Sequence, residues 1–295
     1  MINTTVIIPT KNRLDMLCRA VRSVSEQTVL PAAVIIIDDG SLEPVDLSSF
    51  ESMKNLNITI VRNNSSVGGA RSRNIGIYQA NSKFVSFLDD DDAWEPNYLK
   101  EVSATLLEGE ELAVYTSKSF VLSNDLGKVF KESIAVDTIS YNKLLNGNFV
   151  GTTSCVTVKK SSLVCIGCFD ESLPALQDYE CWLRLSFNGV IFKPASEAKV
   201  FYTINVNSTQ ISGNYDNHIQ AKALISKKYI TPLERHQYKK LEATLCFFIA
   251  KAVHRRHYLS SLSYTLKALI KGRNAKLIIL FIPYKALNLI GVYSS

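Results

Sequence analysis

The chain has 295 residues, 46% of them hydrophobic and 20% charged, which is enough apolar material for a packed core and excludes a wholly disordered chain. Its 33 basic and 27 acidic side chains leave a net charge of +6, and that number hides a split. Residues 1–214 carry 19 basic and 24 acidic groups, whereas residues 215–295 carry 14 and 3, so a basic tail with a partner of its own is expected.

Further exclusions follow from the pattern. With 13 Gly and 8 Pro the chain is neither collagen-like nor of low complexity. No apolar run approaches the roughly 18 residues that a spanning helix needs. The opening Met-Ile-Asn-Thr-Thr has no charged region leading into a long apolar stretch, so no secretory signal is expected. Six irregularly spaced cysteines then fit reduced thiols in a cytoplasmic protein.

The predicted elements alternate in period. Thr5 to Pro9 is a near-continuous apolar run, as in a buried parallel strand. Leu14, Leu17, Cys18, Val21 and Val24 recur at helical spacing. Ala33 to Ile37, Asn57 to Val61, Phe84 to Leu88 and Leu112 to Tyr115 read as further strands. Helices are expected from Gly68-Gly69 to about Ala80, and from Pro96 to about Leu107. This order predicts an open, mostly parallel sheet with helices on both faces. Beyond residue 115 we expect a hairpin around Asn124 to Gly127, a strand over Thr152 to Val158, a helix over Gln177 to Phe187 and a strand over Val200 to Val206. From about 217 the chain reads as helical, interrupted at Pro232, Gly272 and Pro283.

Two acidic clusters, Asp38-Asp39 and Asp89 to Asp92, fall at the carboxyl ends of predicted strands. Ligands bind beyond those ends in doubly wound sheets. Four consecutive aspartates repel one another, and a divalent cation among them would offset that repulsion. Hard cations such as Mg²⁺ and Mn²⁺ take carboxylate oxygen and bridge to phosphate. Val67-Gly68-Gly69 followed by Arg71 and Arg73 at a helix start suits a phosphate group. Cys165 and Cys168 have the spacing of half a zinc site, but no second pair accompanies them, and small buried thiols are expected. His254 and His257 flank Arg255-Arg256 as a polar helix face.

Taken together, Val6 to Arg13, Ile36 to Ser41, Gly69 to Gly76 and Phe87 to Trp94 resemble the inverting glycosyltransferases of family 2, which have the GT-A fold. Val164 to Leu173 and Gln177 to Leu185 extend the resemblance, which covers about residues 4–206. It implies a GT-A-like sheet with an acceptor-side subregion. The expected layout is a glycosyltransferase domain at 1–215, with a nucleotide-sugar half at 1–115 and an acceptor half at 116–215, and a basic helical region at 216–295.

By position, the resemblance places Pro9, Thr10, Arg13, Asp39, Arg73, Asp89 and Asp90 around the nucleotide-sugar. Asp89 and Asp91 would form the Asp-x-Asp motif, with Asp91 the direct ligand of Mn²⁺ or Mg²⁺. Asp178 would be the general base. The family's first acidic position there is Gln177 in this chain, and the Arg and His often found near Tyr202 to Asn207 are absent. Gln177 and Trp182 would lie on the acceptor side, Trp182 either buried to fix its helix or stacked on a sugar. Trp94 would be core or a support of the metal loop.

The reading is metal-dependent, inverting hexosyl transfer from a UDP-linked sugar to a glycan or lipid-diphosphate-linked acceptor. Its setting would be O-antigen (lipopolysaccharide) or capsule synthesis at the inner face of the cytoplasmic membrane. The basic tail, with Lys227-Lys228, Lys239-Lys240 and the apolar runs Leu245 to Ile249 and Leu277 to Ile282, would dock on an anionic membrane surface. Alternatively it would pack on the catalytic domain or form a homodimer contact. No nucleic-acid module is recognisable. The rival readings are a nucleotidyltransferase, against which Pro9 to Arg13 lacks a glycine-rich phosphate loop, and a catalytically silent nucleotide-sugar-binding partner.

Overall fold

The computed structural model describes residues 2–106, 112–123, 125–204, 215–254, 257–272 and 280–282. The chain divides into two compact units: Met1–Tyr141, Phe149–Glu171 and Asp178–Val206 form the first, and Asn142–Asn148, Ser172–Gln177 and Asn207–Ser295 the second.

The first unit begins with the expected alternation: β1 (Ile2–Thr10), α1 (Leu14–Ser25), β2 (Pro31–Asp38), β3 (Ile58–Arg62), α2 (Gly69–Gln79), β4 (Phe84–Phe87), β5 (Ala93–Trp94) and α3 (Tyr98–Leu106). It continues through β6 (Leu112–Leu122), β7 (Asp125–Ser133), β8 (Val156–Lys159), α5 (Lys160–Cys165), α6 (Gln177–Phe187) and β9 (Ile191–Ile204), whereas α4 (Tyr141–Leu144), between β7 and β8 in the chain, belongs to the second unit but for its first residue. The sheet order is β3-β2-β1-β4-β8-β6-β9-β5, with β7 paired to β6. β1, β2, β3 and β4 are mutually parallel, and β6 is parallel to β9. β8 runs antiparallel to both β4 and β6. Two reversals restore direction, so the carboxyl ends of β1, β2, β4, β6 and β9 open on one edge. This is the mixed α/β architecture of the GT-A fold.

Burial explains the strand patterns. Val6, Ile8, Val34 and Ile36 enter a core with Leu17, Val21 and Val24 of α1 and with Tyr98, Leu99 and Val102 of α3. Opposite residues of β1 are buried as well, since Ile7 is fully covered. A Cβ at Gly76 would stand 2.5 Å from Ile7 Cγ2, so only glycine lets α2 lie this close to β1.

Three elements differ from the sequence expectation. The predicted strand over Thr152 to Val158 opens as a 3₁₀ turn, Thr153–Cys155, whose hydroxyls bond to the backbone N–H and carboxylate of Asp89 and whose Ser154 carbonyl accepts from Trp94, instead of joining a ladder. The strand expected from Leu112 to Tyr115 continues to Leu122, held by β7 and β9. The strand expected from Val200 already starts at Ile191. Asn124 of the expected hairpin turn lies outside the described residues, as do Asn205 and Val206.

The second unit contains α7 (Tyr215–Tyr229), α8 (Arg235–Val253) and α9 (Tyr258–Ile270). The break at Pro232 is real, and α8 restarts with a capping box between Glu234 and Gln237. Nearly buried Glu242 accepts from Lys222 Nζ at 3.0 and 2.9 Å and from Ser226 Oγ, with Lys271 Nζ at 3.5 Å. Burial opposes its ionisation, but these donors outweigh that and hold the carboxyl below its usual range. Among the described residues no helix is long and apolar enough to cross a membrane. Arg255-Arg256, Pro283 and the first half of the apolar run Leu277 to Ile282 lie outside the described residues.

Candidate active site

At the end of β2, buried Asp38 accepts from Ser41 N at 2.9 Å, Val45 N at 3.2 Å and Arg62 Nη1 at 2.5 Å. It locks the Asp-Gly turn. Asp39 turns the other way and accepts from Asn63 Nδ2, Ser66 Oγ, Val67 N and Gly68 N at 2.7–3.0 Å. Burial pushes both carboxyls up, and the converging donors more than reverse it, so both titrate below the usual range. Asp39 thereby ties the end of β2 to the loop that launches α2, which carries Arg73.

The four aspartates after β4 have four different environments. Asp89 pairs with Arg73 and accepts from Thr153 Oγ1 at 3.1 and 3.2 Å. Asp90 is fully buried, bonded to Thr10 Oγ1 at 2.7 Å and to Arg13 Nε at 3.1 Å. Burial pushes its carboxyl up to about 7, against the pull of Arg13 and Thr10. Asp91 meets Arg13 Nη1 at 3.0 Å, and Arg19 donates to its backbone carbonyl. Asp92 accepts from Thr203 N at 2.9 Å. Burial and mutual repulsion raise the carboxyls of Asp91 and Asp92, so the neighbouring arginines do not fully offset the cluster.

Asp178 stands in the first turn of α6, its Oδ1 accepting from Tyr179 N at 2.7 Å. Burial raises its pKa, the Tyr179 N–H, Arg73 and Lys118 draw it down, and Asp89 pushes it up. The net upward shift suits a group that must accept a proton near neutral pH. Supporting this end of the sheet is the segment 151–155. Trp182 Nε1 donates to Gly151 O at 3.0 Å, while Trp94 Nε1 and Tyr98 Oη donate to Ser154 O at 3.0 and 3.2 Å. A Cβ at Gly151 would collide with Lys118 Nζ, so glycine admits the ammonium group.

Of the residues expected from sequence, Thr10, Arg13, Arg73, Asp89 to Asp91 and Asp178 converge at this edge. Thr10 and Asp90 are buried, Thr10 holding Asp90, which in turn engages Arg13. Asp39 is engaged by the loop at 63–68, and Pro9 is half-buried in β1 opposite Ile37. Trp182 is fully buried, edge-on to Phe169 and Phe192, and has no exposed face on which a sugar could stack. Its role is packing. Trp94, stacked on Tyr98 at 4.1 Å, supports the segment behind Asp89. Gln177 donates to Leu173 O at 2.7 Å. Sequence reasoning missed Lys118, Arg19 and the Thr153-Ser154 pair. The isolated lysine within an apolar strand and the hydroxyl run at 152–154 were the available signals.

Among the described residues no three His, Cys, Asp or Glu side chains are grouped to hold a metal ion. Asp89 and Asp91 nevertheless keep 27% and 21% of their side chains exposed, whereas Asp90 and Asp92 are covered. One or two such carboxylates completed by substrate phosphate is the usual donor set for Mg²⁺ or Mn²⁺, so the residues fit a divalent cation.

The family described as "Glycosyl transferase family 2" matches residues 5–167. A glycosyltransferase of Haemophilus influenzae is 26% identical over 234 residues, covering 78% of this chain and 78% of its own. The Escherichia coli UDP-Glc:α-D-GlcNAc-diphosphoundecaprenol β-1,3-glucosyltransferase WfgD is 26% identical, covering 61% of this chain and 68% of its own. Among solved structures, S. aureus TarS in complex with UDP-GlcNAc superposes with a TM-score of 0.67 at 20% identity, over 95% of this chain and 84% of that one.

Proposed function

The chain belongs to glycosyl transferase family 2, and from that premise we propose that it transfers a hexosyl group, with inversion, from a UDP-linked sugar to a hydroxyl of a lipid-diphosphate-linked or glycan acceptor. The observation that carries this reading is the convergence of Asp178, in the first turn of α6, with the Arg73–Asp89 pair at the carboxyl edge of the sheet. Asp178 takes the proton of the acceptor hydroxyl as its oxygen attacks the anomeric carbon, and the nucleoside diphosphate departs from the opposite face. A single displacement of this kind inverts the anomeric centre. Arg13 and Arg73, already at the edge, would meet the negative charge of the leaving diphosphate. A divalent cation held by Asp91 and Asp89 would stabilise negative charge on that leaving group. The donor and acceptor classes are supported by what WfgD is named for.

The proposed catalytic domain is 1–215 and the accessory region 216–295. In bacterial envelope polysaccharide synthesis, a lipid-linked acceptor calls for a membrane-facing surface. On α9, Leu259, Leu266 and Ile270 are 79%, 53% and 70% exposed beside Lys267, which supports docking of this region on an anionic leaflet.

A screen of nucleotide-sugars for hydrolysis and transfer, with and without Mn²⁺, tests the reading. The expected result is cation-dependent turnover of a UDP-sugar and a product whose anomeric coupling in NMR is inverted relative to the donor. Retention of configuration, or no turnover of any nucleotide-sugar, contradicts it.

A further inference from the structure

Beyond Tyr115, β6 leaves β8 and continues only between β7 and β9, forming a three-stranded ribbon at the carboxyl edge. Alternation puts Lys118, Phe120 and Leu122 on one face, while Ser117, Ser119 and Val121 are buried on the other. Across the ladder, Phe120 pairs with Tyr202 and Lys131, and Leu122 with Ile204. The rings meet: Phe120 lies 5.5 Å from Tyr202 and 6.4 Å from Phe130, and Lys131 Nζ sits 5.8 Å over the Phe120 ring. Phe130 is 38% exposed, and Phe120 and Tyr202 are half-buried.

This face adjoins the acidic cluster, since Thr203, next to Tyr202, donates its N–H to Asp92 at 2.9 Å. The Tyr202 hydroxyl feels the charges of Asp92, Asp89, Asp91 and Asp178, and Lys118 at its inner end feels Asp178. From Lys118 to Leu122 the track runs outward about 13 Å at the usual strand rise.

We propose that this ribbon face is a carbohydrate-binding platform that seats the acceptor sugar beside Asp178, with Phe120, Tyr202 and Phe130 as its stacking surfaces. The placement relative to the chemistry rests on the reading of Asp178 as base. Ring-sized apolar patches alternate here with the polar heads of Lys118, Tyr202 and Lys131. A sugar ring offers the matching pattern, an apolar C–H face within a rim of hydroxyls. A lipid chain would call for unbroken apolar surface instead.

Saturation-transfer NMR on the full chain with UDP present tests this without requiring turnover. The probes are the methyl glycosides of glucose, galactose, mannose, GlcNAc and GalNAc, with decyl phosphate as the lipid probe. At least one glycoside should receive saturation on its ring C–H protons. Phe130→Ser, on the exposed edge strand, and Phe120→Leu, which keeps the site apolar, should each weaken that binding about tenfold. UDP affinity and the circular dichroism spectrum should stay unchanged. Absence of glycoside binding, glycoside binding unaffected by both substitutions, or decyl phosphate as the only probe sensitive to them overturns the proposal. Because the role of Asp178 is tested by turnover and the platform by binding, failure of one is distinguishable from failure of the other.

Discussion

Four adjacent aspartates with one side chain in common do four different things, and their surroundings decide which. Asp90 is buried behind Arg13 and organises it, Asp92 anchors β9 through Thr203, and Asp89 and Asp91 keep exposed oxygen. Asp91→Ala should therefore remove the Mn²⁺-dependent part of UDP affinity in calorimetry while leaving the Mn²⁺-free part nearly unchanged. Equal affinity with and without Mn²⁺ in the parent protein would defeat the metal assignment. Asp38 offers a pH test of stability. Its folded pKa lies below the unfolded value of about 3.9. Its contribution is therefore fully present above the unfolded pKa and is lost as pH falls through the folded one. Asp38→Asn should cost about 1–3 kcal/mol at neutral pH and flatten the acid limb of the denaturation profile, because Arg62 and two backbone N–H groups lose a charged acceptor. A parallel, unflattened limb would mean that other carboxylates dominate acid unfolding.

At the scale of elements, α6 and the segment 151–155 act together. Trp182 fills the core between Phe169 and Phe192 and holds Gly151, whose bare Cα makes room for Lys118. Trp182→Phe removes the indole donor and leaves a buried carbonyl without it, a loss of about 1–3 kcal/mol. Denaturant titration should show this as a lower midpoint, and turnover should fall more than UDP affinity. The parallel half of the sheet was legible in sequence because each strand is a short apolar run, and β2 and β4 run directly into aspartates. Helix α6 was legible to its ends. Of the β7–β6–β9 ribbon, the β6–β7 hairpin was legible from its turn, but the pairing with β9 was not, because Lys118, Phe120 and Leu122 on one face and serines on the other give a weak mixed alternation, and β9 lies some 80 residues away. The same distance hid Lys118 and Arg19: nothing near them in the chain is acidic enough to announce Asp178 or Asp91 as neighbours.

For the whole molecule, the proposed function gives the two sides of the charge split two different tasks. The acidic excess of the first part concentrates where arginines and a cation can meet it, and the basic excess lies on α7 to α9 and the residues after them. Full-length protein should partition onto vesicles containing anionic lipid, and a chain ending near residue 215 should not, with the difference vanishing in high salt. Equal partitioning of the two would remove the membrane role from the tail. The proposed chemistry turns on Asp178 accepting the proton as sugar is transferred. It is tested most directly by the transfer rate of Asp178→Asn under saturating donor and acceptor. A fall of about 10²–10⁴-fold with UDP affinity preserved is predicted. A rate within a few-fold of the parent protein would contradict it.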